Sequence, residues 1–144
     1  MSLLKNLMVD VKEAWVEYPG FPGFELKLAM VSRPNLIALR KSCIETKFDR
    51  KTKAPIETLN EDKFVRKFTE ASIKDWKGLK ASYLESLLLV DLGDTDPDQD
   101  VPYNAEDAEM LVKHSGDFDQ WLNDAVFDLE NFRSRGERGA MGEA

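Results

Sequence analysis

The spacing of apolar side chains divides the chain into a β-rich beginning and a largely helical remainder. Residues 12 to 31 are predicted to form a β-hairpin, because apolar and polar side chains alternate along its second arm with the two-residue period of a half-buried strand. The alternating apolar residues are Phe24, Leu26, Leu28 and Met30. Between the arms, the sequence Pro19-Gly20-Phe21-Pro22-Gly23 favours a tight turn.

Apolar residues then recur at helical spacing. Ser32 is the expected N-cap of the first helix, with Pro34 in its first turn. Residues 46 to 57 fit a second, small hairpin around a polar turn. Thr58 and Glu61 match a capping box, and the helix that they open is predicted to run to a stop at Gly78.

The second half of the chain predicts further helices around an acidic loop. Residues 83 to 92 fit either a helix or a short buried strand, and a helix is favoured because no helix breaker precedes them. After the loop of residues 93 to 102, Asn104 is the expected cap of one helix. Ser115 is the expected cap of a last helix that closes at Phe132.

These patterns predict an α+β, mainly helical fold. It would comprise an N-terminal β-hairpin followed by about four to five helices, as a single globular domain over residues 1–132. Residues 133–144 show no apolar period and are predicted to be a flexible C-terminal tail. The longest apolar runs, Leu87 to Val90 among them, are far shorter than a membrane span, so we expect no membrane partner.

Charge is distributed unevenly along the chain, whose formal net charge is −7. The segment from Arg33 to Lys80 has 13 basic and 7 acidic residues, whereas the segment from Ala81 to Glu130 has one basic and 14 acidic residues. Such asymmetry predicts two differently charged faces. Either the two faces pack side by side within one molecule, or they contact other chains, including further copies of this one. Nucleic acid is not an expected partner, because the whole domain would repel phosphates.

The four aspartates of the acidic loop are the stretch that most resembles a metal site: Asp94, Asp96, Asp98 and Asp100. An EF-hand loop needs Gly at its sixth position and Glu at its twelfth. Counted from either Asp94 or Asp96, the sixth position is not glycine. We therefore predict a solvated acidic loop and no metal or cofactor.

Signatures of catalysis are missing from the sequence. It has one Cys and one His, and it lacks a phosphate-binding glycine loop, metal-ligand His/Cys spacing and a nucleophile elbow. Cys43 lies on the apolar stripe of a predicted helix and is expected to be a small core residue in a protein of a reducing cytoplasm. The sequence therefore predicts a protein that is not an enzyme and has no catalytic residues.

Several short motifs occur in order along the chain. They are a Trp-bearing N-terminal hairpin, the segment Asp75-Trp76-Lys77-Gly78-Leu79, the stretch from Val101 to Leu111 after the acidic loop, and a helix end at Leu129-Glu130-Asn131-Phe132. Over roughly residues 12 to 132, this arrangement resembles the tail assembly chaperones of long-tailed, siphovirus-type bacteriophages. That family shows a W-x-G element, a P-(Y/F)-(S/N)-x-E-(N/D)-A helix start and an N-F helix end. Residues 79 to 90 are longer and richer in leucine than the family pattern.

The resemblance implies a non-catalytic role in virion morphogenesis. Such a chaperone binds the long helical tape measure protein in the host cell cytoplasm, keeps it soluble and recruits subunits of the major tail (tube) protein. It is released before the tail is finished, so it is not expected in the mature virion. Self-association is also expected of a family member.

Binding of a helical client requires an apolar groove with charged rims. The residues expected to contact the partner are Trp76, Leu79, Tyr83, Trp121 and Phe127. Phe127 lies off the apolar stripe of the last helix, so it is either exposed or part of a wider core-facing arc.

Two other functions fit the sequence. One is a structural tail component of the completion or terminator type, which would be retained in purified particles. The other is an acidic inhibitor that mimics nucleic acid through residues 81 to 130, whose binding to a basic enzyme would weaken steeply with salt.

Overall fold

The computed structural model describes residues 2–8 and 12–133 of the chain. Within them, about 46% of the residues are helical and 21% lie in strands, which form two small antiparallel sheets. The strands are β1 (Glu13–Glu17), β2 (Glu25–Ala29), β3 (Ile44–Phe48), β4 (Pro55–Leu59) and β5 (Ile73–Lys77). The helices are α1 (Leu3–Leu7), α2 (Arg33–Ser42), α3 (Glu61–Ser72), α4 (Ala81–Leu87), α5 (Ala105–His114) and α6 (Gly116–Phe127), followed by a 3-10 turn (Leu129–Asn131).

The prediction of an α+β, mainly helical fold with one N-terminal hairpin is wrong, because the described residues form a mixed α/β structure with five strands. β5 was predicted as the end of a helix, yet it pairs with β2 to give the sheet order β1-β2-β5. A β-bulge explains the error. Ile73 and Trp76 lie opposite Leu28 and Leu26, so two buried residues three apart on β5 have the spacing of a helix face.

The core lies between the β1-β2-β5 sheet and helices α3, α5 and α6. β2 supplies Leu26 and Leu28, and α6 supplies Phe118, Leu122 and Val126, all without exposed surface. Burying a side chain of this kind is worth about 1.5–3 kcal/mol relative to leaving it exposed. Cys43 is also fully buried, as the sequence predicted.

Gly78 does not end a helix, as the sequence had suggested. It has a φ of 76° and lies beside the tip of the first hairpin, where an added Cβ would be 1.9 Å from the Gly23 carbonyl oxygen. Glycine is therefore needed for a close approach of two backbones. This approach joins the end of β5 to the β1–β2 turn.

The second hairpin, β3–β4, forms where the sequence allowed for it, but most of its side chains are exposed. The predicted capping box is wrong: Thr58 lies in β4 opposite Glu45. Asn60 caps α3 instead, and its side chain accepts a hydrogen bond from the backbone N–H of Lys63 at 3.1 Å. Strand pairing thus extends the hairpin through residues that the local pattern assigned to the helix.

The caps predicted for three other helices are confirmed. Ser32, Asn104 and Ser115 accept backbone hydrogen bonds at the starts of α2, α5 and α6. α6 ends at Phe127, short of the predicted Phe132. The flexible tail predicted for residues 133–144 lies, apart from residue 133, outside the described residues.

Candidate functional site

The five residues predicted to contact a partner do not form one surface. Trp76 and Leu79 are almost fully buried and line the inner wall of a cavity. Tyr83 and Trp121 lie at the two ends of a row of aromatic rings. Phe127 is 41% exposed and belongs to neither group.

The aromatic row closes the tip of the first hairpin onto α4 and α6. Its ring centroids are separated by 4.8 Å from Tyr83 to Phe21, 5.0 Å from Phe21 to Tyr18 and 4.8 Å from Tyr18 to Trp121. The Tyr83 hydroxyl also donates a hydrogen bond to the Pro22 carbonyl at 2.7 Å. These rings therefore stabilise the fold, since contacts at such distances are favourable pairs in their own right.

The cavity that Trp76 and Leu79 line opens to the surface beside α5, and we call it the α5 groove. Its volume is about 200 Å³, below the range of about 300–1,000 Å³ that is usual for small-molecule pockets. The lining is apolar except for the Asp107 carboxylate. The apolar lining residues are Trp76, Leu79, Leu84, Leu88, Val90, Val101, Met110 and Leu111. A space of this size and character suits one or two apolar side chains of a larger partner.

The apolar surface continues outward from the α5 groove. Leu89 is completely exposed and Met110 is 52% exposed. Together with Leu88, Val90 and His114, these residues line an adjoining depression of about 260 Å³. Large apolar side chains that are exposed side by side mark interaction sites more often than isolated ones do.

The end of α4 explains why Leu89 is exposed. The Leu88 N–H donates to the Leu84 carbonyl at 2.8 Å, and the chain then leaves the helix in an extended conformation. Gly93, with a φ of 55°, begins the next turn, where its N–H bonds to the Asp91 carboxylate at 3.0 Å. The predicted helix over residues 83 to 92 therefore ends at Leu87, and the extended segment after it forms one wall of the groove.

The floor of the α5 groove is held by hydrogen bonds between β5 and the end of the acidic loop. The Trp76 indole N–H donates to the Val101 carbonyl at 2.9 Å, and the Val101 N–H donates to the Leu79 carbonyl at 2.8 Å. The Trp76 ring also meets Tyr103 edge to face at 5.1 Å. A floor fixed in this way needs little rearrangement on binding, which lowers the entropic cost of association.

Acidic side chains border the groove. Asp107 lines it, Asp91 follows Val90 in the chain, and Glu106 lies one helical turn before Met110. The two nearby lysines are each engaged by a carboxylate: Lys80 contacts Asp100 at 2.8 Å, and Lys113 contacts Asp62 at 3.0 Å. The hydrogen bond that the Lys80 ammonium donates to the Asp100 carboxylate raises the pKa of Lys80. The groove therefore has an apolar interior and a negatively charged rim.

Other depressions and clusters on the described surface are weaker candidates for a binding site. A depression of about 490 Å³ between α2 and α3 has one large apolar residue, Leu39, and is otherwise lined by small and charged residues: Ala38, Ser42, Lys67, Glu70 and Ala71. In the acidic loop, the Asp96 carboxylate accepts a hydrogen bond from the Asp98 N–H at 2.9 Å. No group of three or more His, Cys, Asp or Glu side chains that could hold a metal ion is found in residues 2–8 and 12–133.

Sequence reasoning missed the outer wall of the groove, which residues 88 to 90 form, and Met110 on the facing helix α5. Part of the signal was present, because Leu87 to Val90 is among the longest apolar runs of the chain. The run alone did not reveal which of its members face inward.

No helix in the described part of the chain is long and apolar enough to span a bilayer. Comparison of the chain with protein-family models, with curated proteins and with solved structures gives no match.

Proposed function

We propose that this protein is a tail assembly chaperone of a long-tailed bacteriophage, which binds the tape measure protein and helps to recruit tail tube subunits. The observation that carries the proposal is the α5 groove together with the depression that adjoins it, where Met110 and Leu89 are exposed beside a well-filled core. The motif resemblance over roughly residues 12 to 132 supplies the identity of the client.

The groove suits a holding role better than a catalytic one. A long helical client carries an apolar stripe that aggregates when it is exposed, and a chaperone must cover that stripe reversibly. Amphipathic helices bind to apolar grooves through side chains about one helical turn apart, and charges at the rim set orientation and register. A small pocket with a charged border gives contacts of this kind without a large obligate interface.

The proposal includes where and with what the protein acts. It is not an enzyme, works in the host cell cytoplasm and leaves before the mature particle forms. Self-association is part of it, because the basic and the acidic segments of two molecules attract each other. The exposed β3–β4 hairpin, in the basic segment, is available for such contacts.

Co-expression tests the proposal. We expect the tape measure protein from the same genome to move from the insoluble to the soluble fraction when this protein is present, and to co-purify with it. An unrelated acidic protein of similar size, expressed in its place, controls for effects of charge alone. A tape measure protein that stays insoluble and forms no complex would contradict the proposal.

Mass spectrometry of purified particles separates the chaperone from a structural tail component. The chaperone is expected at no more than trace level in finished virions. A stoichiometric presence would favour the completion or terminator type of protein instead.

A further inference from the structure

We infer that the α5 groove receives a helical segment of the client that presents large apolar side chains flanked by lysine or arginine. The inference rests on the proposed function and adds to it the binding site and the chemistry of the bound segment.

The shape of the groove argues for an apolar anchor. Trp76 and Val101 form a hydrogen-bonded floor, and the extended Leu88–Val90 segment and α5 form the two walls. The cavity of about 200 Å³ holds one or two side chains, and the adjoining depression along Met110 continues the apolar path. Buried apolar anchors of this kind provide most of the binding energy at protein interfaces.

The rim argues for basic flanks on the bound segment. Asp107 lines the groove, Asp91 follows the lining residue Val90, and Glu106 lies one helical turn before Met110, whereas Lys80 and Lys113 contact Asp100 and Asp62. The segment from Ala81 to Glu130, to which most of the groove belongs, has 14 acidic residues and one basic residue. An acidic helix would meet like charges there, whereas a basic one is attracted over a distance and oriented on arrival.

α1 is the rival occupant that the chain itself offers. Its apolar side chains, including Leu3, Leu4 and Leu7, are largely exposed and could enter the groove of a second copy. Residues 2–8 carry Lys5 as their single basic residue, however, against three carboxylates at the rim. The client segment with several basic residues is therefore the better match in charge.

The test uses the purified full-length protein and overlapping synthetic peptides that cover the tape measure protein. The peptide that binds most tightly is expected to carry lysine or arginine on both sides of its apolar stripe. Leu89→Asp and Met110→Asp should each weaken its binding about thirtyfold, the loss expected for a central anchor contact. Phe48→Asp is the matched control, because Phe48 is 68% exposed on the hairpin and should leave binding unchanged.

A second pair of variants tests the rim. Glu106→Lys should weaken binding of the same peptide by about three- to tenfold at low ionic strength, and the difference should shrink as salt is added. Glu45→Lys, on the exposed hairpin, makes the same change of charge away from the groove and should have little effect. Circular dichroism of each variant checks that it is folded.

The outcomes separate the site from the function. Binding of the tape measure protein that is insensitive to Leu89→Asp, Met110→Asp and Glu106→Lys would overturn the inference and leave the chaperone function in place. Absence of binding by the wild-type protein would overturn both. A third outcome is that the groove variants change the oligomeric state but not peptide binding, and that Leu4→Asp changes the oligomeric state in the same way. The groove would then bind α1 of a second copy, and the inference would be overturned.

Discussion

At the scale of single residues, Gly78 is the one described glycine where an added Cβ would meet neighbouring backbone. We expect Gly78→Ala to lower the free energy of unfolding by about 2–4 kcal/mol, because a Cβ would collide with the Gly23 carbonyl and alanine disfavours a φ of 76°. Gly93→Ala is the control, since Gly93 also has a positive φ but has nothing within 4 Å of the added Cβ. It should cost only about 1–2 kcal/mol. Chemical denaturation measures the free energy of unfolding of each variant. Equal decreases in the two variants would contradict this role of Gly78.

Two tyrosines should make stability fall at alkaline pH. Burial raises the pKa of Tyr103, with a smaller contribution from Asp75, and burial followed by Asp117 raises the pKa of Tyr18. The folded state therefore holds these protons more tightly than the unfolded state. Their contribution to stability is complete below about pH 10, the pKa of an unperturbed tyrosine, and is lost as the pH rises through the higher folded values.

Denaturation midpoints measured on either side of pH about 10 test this expectation. The double variant Tyr18→Phe, Tyr103→Phe should lose less stability across that interval than the wild type does. Tyrosine absorbance should also titrate later in the folded protein than in denaturant. An identical alkaline loss in the variant would assign the effect to other groups.

What the sequence revealed at this scale was local chemistry. Ser32, Asn104 and Ser115 were predictable as caps because a cap bonds to backbone only a few residues away. The role of Gly78 could not be predicted, because glycine is required there by the Gly23 carbonyl, which is close to it only in the folded chain.

At the scale of elements, the β3–β4 hairpin depends on its turn. The Asp49 carboxylate accepts hydrogen bonds from the Lys51 N–H and the Thr52 hydroxyl, both at 2.9 Å, and these bonds lower its pKa. Asp49→Ala should therefore speed amide hydrogen exchange in β3 and β4 and leave β1, β2 and β5 unchanged. Thr52→Val, which removes one of the two bonds, should have a smaller effect.

The same turn should loosen in acid. Because the folded pKa of Asp49 is depressed, its contribution is complete above the unfolded value of about 4 and is lost as the pH falls through the folded value. If the rate of amide hydrogen exchange in β3 and β4 changes neither with Asp49→Ala nor with acid, cross-strand pairing alone maintains the hairpin.

Strand β5 shows where element prediction fails. Isolated hairpins and capped helices have periods that can be read from neighbouring residues, whereas β5 is defined by its pairing with β2, about fifty residues earlier in the chain. The bulge gave Ile73 and Trp76 the spacing of a helix face, so the local pattern predicted the wrong element.

At the scale of the whole molecule, the two charged segments are adjacent without neutralising each other. α3, in the basic segment, packs on α5, in the acidic segment. Among the ion pairs of residues 2–8 and 12–133, however, one pair joins a cation of the basic segment to a carboxylate of the acidic segment, and it is Lys80 with Asp100. Most of the remaining charge faces solvent. Opposite fields of this kind favour association between copies.

We therefore expect reversible self-association at low ionic strength that weakens at physiological salt, where charges are screened over about 8 Å. Sedimentation velocity at two salt concentrations measures it. Arg66→Glu, on the exposed face of α3, should reduce association at low salt. Association that grows with salt would instead indicate an apolar contact.

The site could be predicted from the sequence only in part. Trp76 and Leu79, predicted to contact a partner, form the interior wall of an apolar cavity, and the exposed side chains beside it are Leu89, Val90 and Met110. Which side of an apolar run faces solvent depends on where α4 ends, and its C-cap is Leu88, which is neither a glycine nor next to a proline. No local signal marked that point.

The most direct measurement of the central claim is a hydrogen-exchange footprint of the complex with the tape measure protein. We predict that binding slows amide exchange in residues 88 to 92 and in α5 around Met110, while the β3–β4 hairpin exchanges as in the free protein. Protection confined to the hairpin, the aromatic row or Phe127, or no protection at all, would contradict the claim that the α5 groove binds the client.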